Sequence, residues 1–394
     1  MDALKPKMTS VIAADGSALS QELNELRRTL FPPESKKALR SFSSGEAAKL
    51  IGIADGYLRQ LSLSGKGPQP EISNGGRRSY TLDQINELRT LLEEGGKGKR
   101  YLPHRVDGDG CQVLSVVNFK GGSGKTTTAA HLAQFLALKG YRVLAVDLDP
   151  QASLTALHGY QPEFDIGANE TLYGAIRYDD ERRSLEKIVR STYFSGLDLI
   201  PANLELMEFE HDTPKALAEG ETEAFFGRIA SALGEVEDRY DVMILDCPPQ
   251  LGFLTLGALC AATSILITVH PQMLDVMSMC QFLLMASDLL SVVQEAGADL
   301  DYDFIRYVVT RYEPSDGPQT QMVAFMRSLF RERVLTNTML KSTAISDAGL
   351  SKQTLYEVGR ENFTRATYDR ALESLDTVNT EIEALMLAAW GRAQ

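Results

Sequence analysis

The residues with the clearest chemical purpose lie in the segment Lys120–Thr127, which reads KGGSGKTT. Glycines let backbone N–H groups turn inward around phosphate oxygens, and the lysine and hydroxyl residue that follow them supply a charge for the phosphates and a ligand for Mg²⁺. Here those two residues are Lys125 and Thr126. The alternative is a glycine-rich turn with lysines placed by chance. We predict a nucleotide phosphate site made of Lys120, Gly121, Gly122, Ser123, Gly124, Lys125, Thr126 and Thr127.

The neighbouring elements favour that prediction. The apolar run Val113–Phe119 predicts a strand before the segment, and Thr126–Lys139 predicts a helix after it. A loop between a strand and a helix places bound phosphates at the positive end of the helix dipole.

Two later strands each end in aspartate. Residues 143–152 read VLAVDLDPQA and place Asp147 and Asp149 at a strand's carboxyl end, and residues 241–249 read DVMILDCPP and do the same for Asp246. Ligands of open α/β sheets bind at that edge. Carboxylates gathered there would repel one another unless a cation held them, and Mg²⁺ suits carboxylate oxygen. Any one of these aspartates alone is more typical of a strand-end cap.

The phosphate-loop pattern departs from its usual form in one place. Phe119 stands where a glycine is usual, and a second lysine, Lys120, lies at the mouth of the loop. This resembles the deviant Walker A loop of the ParA/MinD group of P-loop ATPases. The resemblance implies that Lys120 reaches across a dimer interface to the partner's nucleotide and that Lys120, Lys125 and Asp149 are catalytic. It also implies that Asp149 orients the attacking water, that Thr126 and Asp147 support the metal, and that Asp246 is the Walker B acid.

The remaining chain predicts an α/β fold with a doubly wound, mostly parallel sheet. Apolar strands near Leu197–Pro201, Val242–Asp246, Ile265–Val269 and Phe304–Thr310 alternate with helical stretches. Arg311 follows the last of them and resembles the family's adenine-side residue, although a salt-bridging surface arginine fits equally well. Lys341, in the segment Met339–Ala348, resembles the family's basic residue for non-specific DNA binding.

The N-terminal part suggests separate units, as expected for 394 residues. Leu19, Leu23, Leu26 and Leu30 form a helical stripe that Pro32 and Pro33 end. The stripe must pack on a twin in a dimer or on its own chain. We predict a dimerisation helix in residues 1–37, a DNA-binding domain in 38–92, a linker in 93–110 and an ATPase domain in 111–394.

Residues 38–92 predict a helix-turn-helix, followed by glycine- and proline-rich residues 65–70, the segment 75–82 and a third helix through Gln84–Leu92. Residues 43–53 read SSGEAAKLIGI, a capped helix that ends at Gly52, and a second short helix surrounds Tyr57–Leu61. The whole resembles the MerR-like winged helix, which places Arg59 on the recognition helix and Arg77 and Arg78 on the wing. The alternative is a small helical domain with solvated arginines.

Charge is unevenly distributed along the chain. The net charge is −13, but residues 1–106 carry +5 and the remainder −18. Within that acidic body, residues 327–370 contain eight basic and five acidic residues. Such a patch can hold phosphates, so we predict DNA contacts at Arg331, Arg333 and Lys341.

Composition indicates a cytoplasmic protein. Cys111, Cys247, Cys260 and Cys280 show no metal or redox spacing, which predicts buried free thiols in a reducing compartment. No signal core is evident, and we expect no membrane span. The tail Thr380–Trp390 has no Lys or Arg, which argues against a MinD-like membrane helix. Cys247 has no partner cysteine for a shared iron–sulfur cluster.

These features resemble the large ParA proteins of plasmids, closest to the RepA partition proteins of alphaproteobacterial plasmids. That resemblance implies an ATPase that uses ATP/ADP and Mg²⁺, forms a homodimer on ATP, and binds non-specific DNA on the nucleoid. It further implies a ParB-type partner and repression of its own operon through operator DNA. The alternative is a nucleotide-sensing repressor that moves no cargo.

Overall fold

The structure is a computed structural model that describes residues 8–30, 37–96, 98–220 and 224–392. Its first compact unit is Met1–Ala38, and within it the described helix is α1, Met8–Leu30. The helix ends where the leucine stripe predicts, although Pro32 and Pro33 lie outside the described residues. Leu19 is exposed.

The second compact unit, Leu39–Gln394, begins with three helices and a small antiparallel sheet. These elements are β1 (Phe42–Ser43), α2 (Ser44–Ile51), α3 (Asp55–Leu63), β2 (Glu71–Ile72), β3 (Arg78–Tyr80) and α4 (Leu82–Glu94). Ser43 and Glu46 form a reciprocal capping box at the start of α2, and Gly52 ends that helix in the left-handed conformation. The predicted helix that ends at Gly52 is confirmed.

A larger sheet follows, with helices on both faces. Its elements are β4 (Gln112–Val117), α5 (Lys125–Lys139), β5 (Val143–Asp147), α6 (Ser153–Leu157), α7 (Pro162–Asp165), α8 (Tyr173–Ile176), β6 (Arg190–Ser191), β7 (Leu197–Ile200), α9 (Met207–Glu219), α10 (Phe225–Gly234), β8 (Val242–Asp246), α11 (Phe253–Ala261), β9 (Ser264–Val269), α12 (Met273–Glu295), β10 (Phe304–Val309), α13 (Gly317–Phe330), α14 (Thr343–Leu350) and α15 (Arg365–Ala389).

The described strands are ordered β10-β9-β4-β8-β5-β7-β6, and only the β6–β7 pair is antiparallel. Alternate residues of β4 enter two different cores. Leu114 and Val116 pack with α5 and α15, whereas Val113 and Val117 pack with the helices α8 to α13. A parallel sheet covered on both faces is what uninterrupted apolar strands require. The predicted doubly wound α/β fold and its strands are confirmed.

The core on the α5 face continues into the N-terminal part of this unit. Leu58, Ile85 and Leu88 belong to the same buried cluster as Leu132 and Leu136 of α5. The segment between α4 and β4 is also held: Glu93 accepts the N–H groups of Tyr101 and Leu102, and Trp390 donates to the Gly110 carbonyl.

Helix α12 differs from expectation. We expected no membrane span, yet Met273–Glu295 is long and apolar enough, by length and composition alone, to cross a membrane. Its inward residues Met279, Phe282 and Ala286 pack on the sheet, while its outer face remains exposed. The expectation of buried cysteines holds for Cys111 and Cys247 but is wrong for Cys280, which is exposed on this helix, and Cys260 is half-buried.

Candidate nucleotide-binding site

The predicted phosphate loop joins β4 to α5 at the carboxyl edge of the sheet. Gly122 and Gly124 adopt left-handed backbone conformations, with φ of 76° and 91°. A Cβ added at Gly124 would lie 3.3 Å from the Thr310 Cβ. Since other residues rarely adopt such φ values and space here is closed, glycine is required at Gly124. The backbone of the loop is therefore accessible to a ligand at the N-terminus of α5.

Polar side chains that directly follow β4 and β10 brace the loop, and the sequence analysis missed them. The Asn118 Oδ1 accepts the Lys120 N–H at 3.0 Å, and the Asn118 amide donates to the Thr268 carbonyl. The Thr310 hydroxyl donates to the Ser123 carbonyl at 2.6 Å. Asn118 and Thr310 each follow an apolar strand directly, and this pattern in the sequence could have identified them. These contacts fix the loop before any ligand binds.

Lys125 lies inside the loop. It is 6% exposed, and its Nζ donates to the Lys120 carbonyl at 3.3 Å. Burial lowers the pKa of Lys125, and the nearby carboxylate of Asp246 opposes that effect. An ammonium group held in a closed cradle of backbone is suited to phosphate oxygens.

Lys120 is held outside the loop by a residue that the sequence analysis did not identify. Its Nζ lies 2.8 Å from an Oδ of Asp275, which is buried at the start of α12. The His270 Nδ1 is 3.9 Å from the same oxygen. Burial lowers the pKa of His270, and the positive charge of Arg311 lowers it further. Lys120 thus has an anionic partner within its own chain.

The sheet register brings the predicted aspartates together. Asp147 and Asp246 are directly paired at the ends of β5 and β8. One Asp147 oxygen accepts the N–H and hydroxyl of Thr155 at 2.8 and 2.7 Å, and the other accepts the Asp149 N–H at 3.1 Å. Burial raises the pKa of Asp147 to about 7. Asp149 is half-buried, and its Oδ1 accepts the Gln151 N–H at 2.9 Å.

Asp246 is the carboxylate that fits a cation. It is completely buried, and neither oxygen has a hydrogen bond of good geometry among the described residues. Burial and the charge of Asp147 raise its pKa well above the usual range, which the Thr126 hydroxyl only partly offsets. A buried carboxylate without donors favours binding of a positive charge.

The described residues contain no cluster of three His, Cys, Asp or Glu side chains that could hold a metal alone. Of the three residues predicted to support a metal, Asp246 and Thr126 remain available as donors, whereas both Asp147 oxygens accept hydrogen bonds from Thr155 and Asp149. Mg²⁺ keeps several waters and uses substrate phosphates, so one or two protein oxygens suffice.

Arg311 lies against the phosphate loop. Its Nη1 donates to the Gly122 carbonyl at 3.0 Å, and its backbone has a φ of 53°. A non-glycine residue in that conformation is uncommon. The residue predicted for the adenine side is thus at the outer edge of the loop in this structure.

Two of the three predicted N-terminal arginines are exposed. Arg59 is exposed on α3, and Arg77 is exposed in the turn between β2 and β3. That turn is closed by the Ser73 N–H, which donates to the Arg77 carbonyl at 3.0 Å. Arg78 is half-buried on β3. The three residues lie on the two elements that the sequence analysis assigned to a recognition helix and a wing.

The predicted C-terminal basic residues lie at the two ends of one extended segment. Arg331 and Arg333 are exposed in a short 3₁₀ turn after α13. Lys341 lies at the other end of the extended segment that follows, where its N–H donates to the Tyr312 carbonyl. The Lys341 Nζ pairs with Glu313 at 2.8 Å, and both side chains are largely exposed.

The chain was compared with known families and proteins. Residues 111–295 match the family model described as AAA domain. A protein of Rhizobium rhizogenes with the provisional name replication protein A is 58% identical over 98% of this chain and 96% of its own length. Protein SopA of Escherichia coli strain K12 is 32% identical over 82% of each chain.

Solved structures share the fold. A structure described as a partition protein has a TM-score of 0.67 and covers 96% of this chain and 99% of its own, at 17% identity. A cobyrinic acid a,c-diamide synthase from Mycobacterium smegmatis, solved with bound ADP and magnesium, has a TM-score of 0.50 and 27% identity and covers 61% of this chain and 91% of its own.

The glycine cradle with its extra lysine, the paired aspartates and the near full-length relatives agree with one another. The chain belongs to the ParA family of plasmid partition ATPases.

Proposed function

We propose that this protein hydrolyses ATP to drive segregation of plasmid DNA. The observation that carries the proposal is the buried Asp246 carboxylate, whose oxygens have no hydrogen bond of good geometry among the described residues. It lies near the charge of Lys125, which is buried inside the glycine cradle. A buried carboxylate of this kind is costly unless a positive charge compensates it, and such groups concentrate at functional sites. The cofactors are ATP and ADP with Mg²⁺, as in the related synthase that binds ADP and magnesium.

The chain's own residues supply binding and orientation. Lys125 and the N–H groups of the loop bind phosphate oxygens. Thr126 and Asp246 would hold Mg²⁺, which would supply positive charge to the phosphates. Asp149 has one oxygen committed to Gln151 and can orient an attacking water with the other. Asp147 fixes the backbone of Asp149 through its N–H. Asp147 is therefore a positioning residue in this proposal.

Lys120 completes the site of a second copy. Its side chain is 40% exposed, and its present partner Asp275 belongs to the same chain. On ATP binding, two copies face each other across the nucleotides, and each Lys120 exchanges Asp275 for the partner's phosphates. ATP is then part of the interface, and hydrolysis separates the dimer.

Two DNA-binding modes follow. Elements α2, α3 and the β2–β3 hairpin form a winged helix-turn-helix in which Arg59, Arg77 and Arg78 contact operator DNA and repress the partition operon. Arg331, Arg333 and Lys341 contact DNA phosphates without sequence preference. Dimerisation brings two copies of these residues to one duplex and so strengthens the binding. A ParB-type protein at the centromere stimulates hydrolysis and releases the ATPase from DNA.

The test of this function is ATP binding, dimerisation and turnover in matched lysine variants. We expect Lys125→Ala to abolish nucleotide binding and Lys120→Ala to keep binding but lose ATP-dependent dimerisation and hydrolysis. Lys215→Ala, a change at an exposed lysine of α9, is the control that should behave like the parent. Hydrolysis at the parental rate by Lys120→Ala would exclude the cross-subunit role.

A further inference from the structure

One buried arginine has no role in the site described above. Arg89 of α4 is 0% exposed and is among the largest fully buried side chains. No acidic side chain of the described residues lies within ion-pair distance of it, and burial lowers its pKa to about 10. Burying a cation without an anion is costly, so its acceptors must compensate in another way.

Two acceptors of Arg89 are backbone carbonyls at the ends of two helices. Its Nη2 donates to the Leu50 carbonyl of α2 at 2.9 Å and to the Leu138 carbonyl of α5 at 2.5 Å. Both carbonyls belong to the last turn of their helix. Helix C-termini carry partial negative charge and unpaired carbonyls, which a guanidinium group can satisfy. Arg89 thus joins an N-terminal helix to the helix that begins at the phosphate loop.

The end of α5 is shaped to admit this arginine. Gly140 has a φ of 100°, and a Cβ added there would lie 3.0 to 3.2 Å from the guanidinium group and Cδ of Arg89. Asn86 accepts from the Arg89 Nη1 at 2.5 Å and donates to the Ser195 hydroxyl at 3.2 Å. The contact between α4 and the end of α5 is therefore made by directed hydrogen bonds as well as by apolar packing.

Helix α5 connects Arg89 directly to the nucleotide site. It runs from Lys125 to Lys139, about 22 Å at 1.5 Å per residue. Every residue from Thr128 to Leu138 is buried. A packed helix moves as a rigid body, so a displacement at its phosphate end reaches its carboxyl end.

We propose that Arg89 couples nucleotide occupancy of the phosphate loop to DNA binding by α3 and the β2–β3 hairpin, because it clamps the N-terminal elements to the far end of α5. This rests on the proposed function, in that the loop binds nucleotide and the N-terminal elements bind operator DNA. Coupling of this kind is reciprocal, so operator DNA changes nucleotide affinity by the same factor.

The experiment measures the coupling factor in the full-length protein. Fluorescence anisotropy gives the Kd for a labelled duplex copied from the region immediately upstream of the coding sequence, without nucleotide, with MgADP and with MgATP. The parent should show a Kd ratio of roughly 5-fold or more with one of the nucleotides. Arg89→Leu should bring that ratio to within about twofold of one, and Arg89→Lys should partly restore it because one charged donor remains.

Glycine variants provide a matched pair that leaves Arg89 in place. Gly140→Ala presses a methyl group onto Arg89, whereas Gly297→Ala, at a φ of 102°, has no atom within 4 Å. Both incur similar backbone strain, but only Gly140→Ala should reduce the coupling factor. A merely structural role would weaken DNA binding equally with and without nucleotide and leave the ratio unchanged.

Each outcome decides the proposal. It is overturned if the ratio survives in Arg89→Leu and Gly140→Ala, if Gly297→Ala loses it equally, or if the parent binds both ligands without coupling. In that last case the proposed function stands. If the parent binds no nucleotide or no duplex, the proposed function fails and this inference fails with it. Should Arg89→Leu not fold, Gly140→Ala and Arg89→Lys give the answer.

Discussion

At the scale of single residues, the site separates two aspartates by their surroundings. Asp246 is buried, and its oxygens have no hydrogen bond of good geometry among the described residues. Asp149 is half-buried, and the Gln151 N–H occupies only its Oδ1. The first arrangement favours a cation, and the second favours a water molecule. Their loss should therefore affect different steps.

We predict that Asp149→Asn keeps ATP and Mg²⁺ affinity and lowers kcat about 100-fold or more, because a group that orients water acts mainly in the transition state. ATP-bound, DNA-bound dimers should accumulate. Asp246→Asn should instead weaken Mg²⁺-dependent nucleotide binding. Titration with a fluorescent ATP analogue and single-turnover hydrolysis measure the two effects. Equal losses of ATP affinity in both variants would contradict this division, and Asp288→Asn on the surface of α12 is the control.

The raised pKa of Asp246 predicts that the stability of the protein without ligands decreases as the pH rises. A carboxyl group whose pKa is higher in the folded state stabilises the fold below its ordinary pKa and loses that contribution as the pH rises through the folded value. Asp246→Asn removes the group. Without nucleotide or Mg²⁺, the variant should melt a few degrees above the parent at about pH 8 and show a smaller difference at about pH 5. Calorimetry in EDTA measures this, and a difference independent of pH would refute the role of Asp246.

At the scale of elements, the loop after Asp246 depends on how α11 begins. The Glu210 carboxylate of α9 accepts the N–H groups of Phe253 and Leu254 at 2.9 and 3.0 Å. A Cβ on Gly252 would collide with that carboxylate at 2.4 Å. A negative charge at a helix N-terminus is favourable, so this contact fixes the chain between Asp246 and α11.

Glu210→Gln should lower the free energy of unfolding by about 1–2 kcal/mol, because two charge-assisted hydrogen bonds become neutral or are lost. We also expect a lower kcat with little change in ATP affinity, since the loop beside Asp246 loosens. Urea denaturation and steady-state hydrolysis measure these effects. The control is Glu208→Gln, an exposed position on the same helix, and comparable losses in both variants would disprove the contact's importance.

At the scale of the whole molecule, the two basic regions should act on different DNA. Substituting Arg59, Arg77 and Arg78 by Ala should cost operator affinity roughly 1–3 kcal/mol per base contact and spare non-specific binding. Substituting Arg331, Arg333 and Lys341 together should abolish ATP-dependent binding to random duplex and flatten its salt dependence, because fewer counterions are released.

Salt titrations on operator and random duplexes, with the full chain, test both statements. The full chain is needed because the core of the N-terminal elements continues into the ATPase body. Lys187→Ala, an exposed lysine far from both regions in sequence, should change neither titration. If the C-terminal substitutions weakened binding to the operator duplex and to the random duplex equally, separate DNA-binding modes would be ruled out.

The sequence alone determined the parts of this protein that are local patterns. The phosphate loop, the capped helix that ends at Gly52 and the apolar strands each lie within a short stretch, where backbone geometry and alternation of side chains decide the structure. The edge position of Asp147 and Asp246 also followed, because parallel strands share their carboxyl edge.

Only the tertiary structure decided which distant residues meet. Asp275 with Lys120, Thr310 with the loop, and Arg89 with the end of α5 join residues far apart in the chain. Likewise, α12 has a core helix's composition yet exposes an apolar face. Such pairings depend on how packed layers close over one another, and no local spacing encodes them, since each side chain alone reads as an ordinary strand-end or surface residue.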